Sequence, residues 1–343
     1  MLIFTLRKLN LFLFTMLLLT VLSFSLSFLF PGDQLTNLTG QLNITPSEQT
    51  ALAKEYSHES NIAWQYAAYL GHILNGELGL SMTNQTNITD EILRLLPATI
   101  ELSLFAFVIA TVIGIPLGFI AAIRHHKPAD HVILAFAMIG YSIPVFWLGL
   151  LAILTFSIQL GWLPSGGQIS LLYEIERTTG FMLVDILLSD SPYKWQALQN
   201  NFAHMILPAL VIAAAPATVF IRLARTAMLE VLQTSYIKAA RAKGLSFSQI
   251  ILRHAIRNAL IKVVQHIGLQ FANLVTLAMI TEVIFNWPGI GRWLIESIYQ
   301  RDYTAIQSGL LVLSSFIFFV HIITDYTYAA LNPLARGAKY GSR

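Results

Sequence analysis

The sequence predicts an all-α polytopic membrane protein with six transmembrane helices, on the evidence of composition, apolar run length and charge placement. Of the 343 residues, 55% are hydrophobic and only 11% are charged, whereas roughly a quarter of the residues of a soluble domain are charged. An α-helix needs about 20 consecutive apolar residues to cross the hydrocarbon core of a bilayer. The chain contains no cysteine, which excludes a disulfide framework and a thiolate metal site.

The predicted spans are separated by polar segments of unequal length. The first covers residues 9–30 behind two basic residues, and its length favours an uncleaved span over a signal peptide. Between the first two spans, residues 62–73 carry an apolar stripe at helical spacing, which predicts an amphipathic helix on the membrane surface. Gly140 and Pro144 predict a kink in the third span. The remaining spans cover residues 98–123, 131–160, 205–226, 263–285 and 305–329.

Charge placement orients these spans. Of the 21 Lys and Arg residues, 15 lie in the N-terminus, the tail and two loops that alternate to one side. The positive-inside rule puts these segments, and so both termini, in the cytoplasm. The predicted divisions are 1–30 (cytoplasmic N-terminus and first helix), 31–97 (extracytoplasmic segment), 98–330 (five-helix core with an extracytoplasmic loop at 161–204 and a cytoplasmic loop at 230–260) and 331–343 (cytoplasmic tail).

The cytoplasmic loop contains the longest charged stretch, residues 236–263, and predicts two short helices joined by a tight turn. Gly244 can adopt the left-handed conformation that closes a helix, and Leu245 can fold back on the last turn. Ser246 and Gln249 have the spacing of a capping box that opens the second helix. The loop is therefore a compact knob suited to docking. Five residues are predicted to share one face of the second helix: Ile250, Ile251, His254, Ala255 and Asn258.

This loop resembles the cytoplasmic loop of permease subunits of ATP-binding-cassette importers. In that family a Glu-Ala-Ala pattern is followed by a glycine and then by a histidine, and here residues 238–240 (Lys-Ala-Ala), Gly244 and His254 stand at those positions. Lys238 in place of the acidic residue is common in the dipeptide and oligopeptide branch. Lys262 stands where that branch usually has proline, so the family pattern does not predict where the second helix ends.

The resemblance extends over nearly the whole chain, including residues 76–81 and 96–102, which lead into the second span. It identifies the chain as a multi-pass permease of the bacterial inner membrane, from the dipeptide and oligopeptide permease family. Residues 22–27 and 277–282 are most similar to the Sap-type branch, named for sensitivity to antimicrobial peptides. By resemblance, the residues that couple to an ATPase are Tyr236, Lys238, Ala239, Ala240, Gly244, Leu245, His254 and Asn258.

The same resemblance implies three kinds of protein partner, in the lipid bilayer and beside it. They are a second homologous permease that completes a heterodimer, two cytoplasmic ATP-binding subunits and a periplasmic peptide-binding protein. The chain lacks a Gly-x-x-x-x-Gly-Lys-Ser/Thr loop, so ATP is expected on the partner subunits and no cofactor in this chain. A nucleic-acid partner is disfavoured, because the positive-inside rule already explains the basic loop and a helix pinned between two spans cannot enter a groove.

Three functions stay open. The first is peptide import, including cationic antimicrobial peptides, and the second is export of a polyamine such as putrescine through the same scaffold, which is attributed to Sap-type systems. The third is an intramembrane enzyme or a membrane sensor. The absence of His-Glu-x-x-His and Gly-x-Ser-x-Gly motifs argues against the third, and the sequence predicts no catalytic and no metal-binding residue.

Glu282 is the single candidate for the translocation path. It lies near the outer end of the fifth span, where a carboxylate is costly unless it faces water or a partner. One interpretation places it at the outer mouth of the path, where it attracts cationic cargo. The other is a structural carboxylate that Trp287 or backbone groups satisfy.

Overall fold

A computed structural model describes residues 2–42, 45–264 and 266–331, and its regular structure there is helical apart from one isolated bridge between Leu80 and Asn87. Two π-helical segments, Ile153–Gln159 and Ile250–Ala255, and a 3-10 turn, Leu171–Tyr173, accompany the α-helices. The predicted tail lies outside the described residues beyond Leu331. The α-helices are α1 (Leu2–Leu29), α2 (Gln34–Thr39), α3 (Pro46–Glu55), α4 (Ile62–Leu74), α5 (Ile88–Ile123), α6 (Pro128–Ser142), α7 (Val145–Ala152), α8 (Met182–Leu188), α9 (Lys194–Leu232), α10 (Ser235–Ala242), α11 (Phe247–Gln249), α12 (Ile256–Val264), α13 (Ile267–Ile284), α14 (Ile290–Gln300) and α15 (Tyr303–Leu331).

The described residues include five helices that are long and apolar enough to cross a membrane, or six when the bent pair α6 and α7 counts as one span. The prediction of an all-α polytopic membrane protein is therefore confirmed. Hydropathy located the spans but not the helix ends, since α5 begins ten residues before the predicted start and α9 extends to 39 residues. The five helical spans are Leu9–Leu29 of α1, α5, α9, α13 and Tyr303–Thr324 of α15.

The third predicted span is not one kinked helix. The helix α6 ends at Ser142, and the segment Val145–Gln159 leaves it at an angle of 100°. Pro144 explains the break, because it has no N–H to continue the helix and it disfavours the helical region for the residue before it. Ile143 accordingly has an extended backbone, with φ −81° and ψ 125°. The predicted kink is thus a near-right-angle turn between two helices.

One compact unit comprises Met1–Thr99, Glu176–Asp185 and Pro288–Phe319. The helix predicted over residues 62–73 is present as α4 and packs against α1, while its placement on the membrane surface stays a prediction. The Tyr69 hydroxyl donates to Ser23 Oγ at 2.8 Å, and the Tyr66 and Thr20 hydroxyls lie 2.8 Å apart. The buried apolar side chains around these contacts are Phe24, Leu35, Leu38, Tyr56 and Tyr69.

The other compact unit comprises Ile100–Ile175, Ile186–Trp287 and Val320–Arg343, and α9 is its central helix, packed against α6, α7, α12 and α13. Two glycines let α5 approach α9 closely. A Cβ added to Gly118 would lie 2.4 Å from the Ile221 carbonyl oxygen, and one added to Gly114 would lie 2.8 Å from the Ala217 carbonyl oxygen. Small residues four apart are a common means of close helix approach in membranes.

Candidate functional site

The turn between α10 and α11 has the predicted conformation. Gly244 has φ +83°, in the left-handed region that glycine adopts without a Cβ penalty. Its N–H donates to the Arg241 carbonyl at 2.9 Å, and the Leu245 N–H donates to the Ala240 carbonyl at 3.3 Å. These two bonds form a Schellman motif, which satisfies carbonyls that the end of α10 leaves without helical partners.

The second helix of the loop begins at the predicted capping box. Ser246 Oγ accepts from the Gln249 N–H at 3.4 Å, while Gln249 Oε1 accepts from the Ser246 N–H at 2.9 Å. The helical path then runs through α11, the π-helical segment Ile250–Ala255 and α12 without a break. We use "the knob" for residues 235–264, the two helical arms and the turn between them.

The five residues predicted to share one face of the second arm differ in burial. Ile250, Ile251 and Ala255 are buried, His254 is half-buried and Asn258 is exposed. The π-helical segment is the physical reason, because its wider turn shifts the phase of every residue that follows. The buried face continues instead through Ala259 and Val263 and packs against α9.

Three of the residues assigned to coupling meet one another inside the knob. The side-chain amide of Asn258 donates to the Tyr236 hydroxyl at 2.8 Å and to the His254 carbonyl at 2.9 Å. This contact fastens the first arm to the second. The sequence placed Tyr236 and Asn258 at motif positions but did not indicate that they bind each other.

Lys262, which replaces the family's proline, lies inside α12, and the helix continues to Val264. Its ammonium forms an ion pair with Glu230 near the end of α9. Both side chains are about half exposed, 47% and 56%, and such surface pairs contribute at most about 1 kcal/mol. The pair therefore joins the second arm to α9 without being its main attachment, which is the buried apolar face.

The two most exposed large apolar side chains of the knob were missed by the sequence interpretation. Leu252 is 69% exposed and Phe247 is 50% exposed. Lys238, Ala239 and Gly244 of the knob are also exposed, and Ala240 is half-buried. Phe247 follows the capping serine directly, and Leu252 lies away from the buried face. Exposed apolar side chains rimmed by polar ones are typical of protein interaction sites.

A charged cluster near the same end of α9 was also missed. Asp130, which is 1% exposed, accepts from Arg225 in a bidentate pair, with Nε to Oδ1 at 2.7 Å and Nη2 to Oδ2 at 2.8 Å. Arg225 Nη2 also lies 2.9 Å from His125 Nδ1. The same Nδ1 lies 3.1 Å from Asp130 Oδ2, so all three side chains meet at this point. The cluster ties the start of α6 to α9.

Outer-loop residues form a buried polar cluster in the second unit. Gln168 Nε2 donates to Glu101 Oε2 at 2.9 Å, and Asn201 Nδ2 donates to the Gln168 carbonyl at 2.9 Å. The Gly167 N–H donates to the Phe285 carbonyl at 2.8 Å, just past α13. The predicted extracytoplasmic loop is thus fastened to α5, α9 and the end of α13.

Glu282 is completely buried in α13, together with Thr281. Its carbonyl accepts from the Trp287 N–H at 2.8 Å, and the Trp287 side chain is also completely buried. In this conformation the carboxylate does not reach an open mouth. A role for Glu282 in the translocation path stays a prediction.

A helical membrane subunit with a protruding two-armed knob is the class that these observations define, and comparison with known proteins places the chain within it. Residues 114–337 match the family described as "Binding-protein-dependent transport system inner membrane component". The chain therefore belongs to this family. It is a multi-pass inner-membrane permease of an ATP-binding-cassette transporter, and not the ATP-hydrolysing subunit.

Two kinds of relative match at almost equal identity. The chain is 42% identical over 343 residues, all of both chains, to "Putrescine export system permease protein SapB" of Escherichia coli K12. It is 41% identical over 336 residues, 98% of this chain and 99% of the relative, to "Di/tripeptide transport system permease protein DppB" of Pseudomonas aeruginosa. The dipeptide and oligopeptide permease family is thereby confirmed, while the two identities do not separate the Sap type from the Dpp type.

The fold also has a solved counterpart. An inward-facing structure of the MetNI methionine ABC transporter superposes with a TM-score of 0.54, at 18% identity, over 71% of this chain and 96% of that chain. At this identity the likeness establishes a shared permease fold for most of the chain.

Proposed function

We propose that this chain is one of two permease subunits of an ATP-driven peptide importer, and that its knob docks on a cytoplasmic ATP-binding subunit. The observation that carries the proposal is the exposed apolar and basic surface of the knob around Gly244, Phe247 and Leu252. A second, homologous permease would complete the path across the membrane. A periplasmic peptide-binding protein would deliver cargo, and ATP would bind to the partner subunits.

The attachment of the knob supports a coupling role. Its two arms are joined through Asn258 and Tyr236, and its second arm is buried against α9 through Ala255 and Ala259. A displacement of the docked knob would therefore be transmitted to α9, the central helix of its unit, rather than absorbed by a flexible loop. Packed elements of this kind move as rigid bodies, because close-packed interiors do not deform continuously.

Peptides are the proposed cargo, with cationic and antimicrobial peptides as the finer proposal. Relatives of both the Dpp and Sap types carry peptide-transport names, among them "Peptide transport system permease protein SapB" of Salmonella typhimurium, at 41% identity. The low share of basic residues in the predicted outer segments fits a cationic cargo: only 6 of 21 Lys and Arg residues lie there. Putrescine export is the second candidate, because the Escherichia coli K12 relative carries that name.

Transport by the complete reconstituted complex tests this function. With ATP on the side of the ATPase subunits and the binding protein on the other side, vesicles should accumulate a labelled tripeptide or cationic peptide on the ATP side. Omission of the binding protein should abolish uptake. ATP-dependent movement of putrescine in the opposite direction, with no peptide uptake under the same conditions, would contradict peptide import and support the second candidate.

A further inference from the structure

The helix α9 presents two arginines one turn apart, and they differ in their partners. Arg225 is neutralised by the buried carboxylate of Asp130. Arg222 is exposed, and none of the acidic side chains in the described part of the chain forms an ion pair with it. Residues three apart on a helix lie on one face. That face of α9 therefore carries one uncompensated positive charge at the end of its apolar stretch.

A cavity of about 430 Å³ opens beside this charge, between α6 and α9. The lining side chains from α9 are polar, and those from α6 are apolar. Asp130 lies at the start of α6, and Leu134 and Met138 line the cavity one and two turns further along the helix. The residues that line it are Leu134, Met138, Arg222, Arg225 and Thr226.

Thr226 adds a hydrogen-bonding group to the charged end of the cavity. Helical threonines elsewhere in the chain, such as Thr218 and Thr281, donate to the carbonyl four residues earlier. The Thr226 hydroxyl is exposed and makes no such bond within the described residues. It lies four residues after Arg222 and hence on the same face of α9. Both groups are available to one ligand.

We propose that this cavity binds the headgroup of an anionic phospholipid from the cytoplasmic leaflet. A guanidinium binds phosphate oxygens in a bidentate manner, and a hydroxyl supplies a further donor. The single net charge of the site matches the single negative charge of a phosphodiester. Leu134 and Met138 would contact the glycerol and upper acyl chains, in the order in which a bilayer arranges these groups. The proposal rests on the cytoplasmic orientation inferred from charge placement, and basic pockets at that side suit anionic headgroups.

Lipid retention by the purified permease–ATPase complex tests the proposal. The complex is delipidated in detergent, exposed to mixed micelles containing phosphatidylglycerol or phosphatidylcholine, and analysed by native mass spectrometry. We expect retention of phosphatidylglycerol but not phosphatidylcholine. Arg222→Gln should weaken that retention about tenfold, the effect of one charge-assisted contact. Arg222→Lys should restore part of it.

Arg124→Gln is the matched control, because Arg124 is exposed on the same predicted side and does not line the cavity. It removes the same charge and should leave phosphatidylglycerol retention unchanged. Equal retention by Arg222→Gln and the unaltered complex would overturn the proposal. Retention of inorganic phosphate equal to that of phosphatidylglycerol would also overturn it, because that result indicates a site for a free anion. A third result would overturn it as well: the Arg222→Gln complex loses the second permease but still retains the lipid. Arg222 would then bind the second permease and not a lipid.

Discussion

Gly244 adopts a backbone conformation that other residues rarely tolerate, yet it has space around it. Its φ is +83°, and a Cβ added there would meet no atom within 4 Å. A substitution at this position therefore acts through backbone strain, of roughly 1–2 kcal/mol for a residue with a Cβ, and not through a clash. Asparagine visits the left-handed region more readily than a β-branched residue does.

We predict that Gly244→Val alters the angle between the two arms and weakens association with the ATPase subunits, with little remaining transport. Gly244→Asn should retain both, because it fits the turn. Membrane abundance should be near normal in both variants, since the knob lies outside the predicted spans. Pull-down of the ATPase, peptide uptake and immunoblotting of membranes measure the three quantities. Normal ATPase binding and uptake by Gly244→Val would remove the turn from the coupling surface.

Phe247 and Leu252 are the apolar side chains with which the knob would contact a partner. Full burial of a leucine or phenylalanine side chain contributes about 1.5–3 kcal/mol. We predict that Phe247→Ala and Leu252→Ala each weaken binding of the purified ATPase to the permease in nanodiscs by at least about tenfold. Ser248→Ala is the control, because Ser248 is exposed on the same arm. An equal loss in the control, or no loss in either apolar variant, would refute the assignment.

At the residue scale, the sequence predicted what depends on neighbours along the chain. The Gly244 turn and the Ser246 cap are local, so spacing alone specifies them. The pairing of Asp130 with Arg225 spans 95 residues and requires two helices to meet. No local pattern encodes that meeting, and the same is true of the contact between Tyr236 and Asn258.

At the element scale, periodicity found the helices and failed where a helix departs from the α geometry. A constant 3.6-residue period placed His254 and Asn258 on the same face of the second arm as Ile250, Ile251 and Ala255. The π-helical segment Ile250–Ala255 breaks that period. Likewise, Pro144 was interpreted as a kink, but the effect of a proline depends on whether neighbouring helices hold the chain straight.

The close approach of α5 and α9 gives an element-scale prediction. Gly118→Ala would place its Cβ 2.4 Å from a backbone oxygen, which cannot move as a side chain can. We expect destabilisation of about 1–3 kcal/mol from overpacking, seen as a lower unfolding temperature in detergent. Gly71→Ala in α4 is the control, because its Cβ would meet nothing within 4 Å. Equal unfolding temperatures for the two variants would show that α5 and α9 are farther apart at Gly118 than in the structure.

At the scale of the whole molecule, hydropathy and charge placement determined the class of protein before any contact was known. The orientation of the spans across the membrane follows from the charge bias alone, and the packing of the helices does not determine it. Alkaline phosphatase, which is active only outside the cytoplasm, should be active when fused after Gly180 and inactive when fused after Gly244. The opposite pattern would reverse the orientation and place the knob outside.

Cargo is the property that sequence and fold predict least. The relatives include transporters named for dipeptides, peptides and putrescine at similar identity. The selective groups therefore need not lie in the features shared along this chain. Glu282, the one residue proposed for the path, is buried here, so a contact with cargo would need another conformation.

The central claim is that the knob touches an ATP-binding subunit, and site-specific photo-crosslinking measures that contact directly. A photoreactive phenylalanine analogue replaces Phe247 in one complex and Trp195 in a second; Trp195 is exposed at the start of α9, on the opposite predicted side. We predict that illumination produces a crosslinked product containing the ATPase subunit from position 247 and none from position 195. Absence of that product from position 247, or an equal yield from position 195, would contradict the assignment of the knob as the coupling surface.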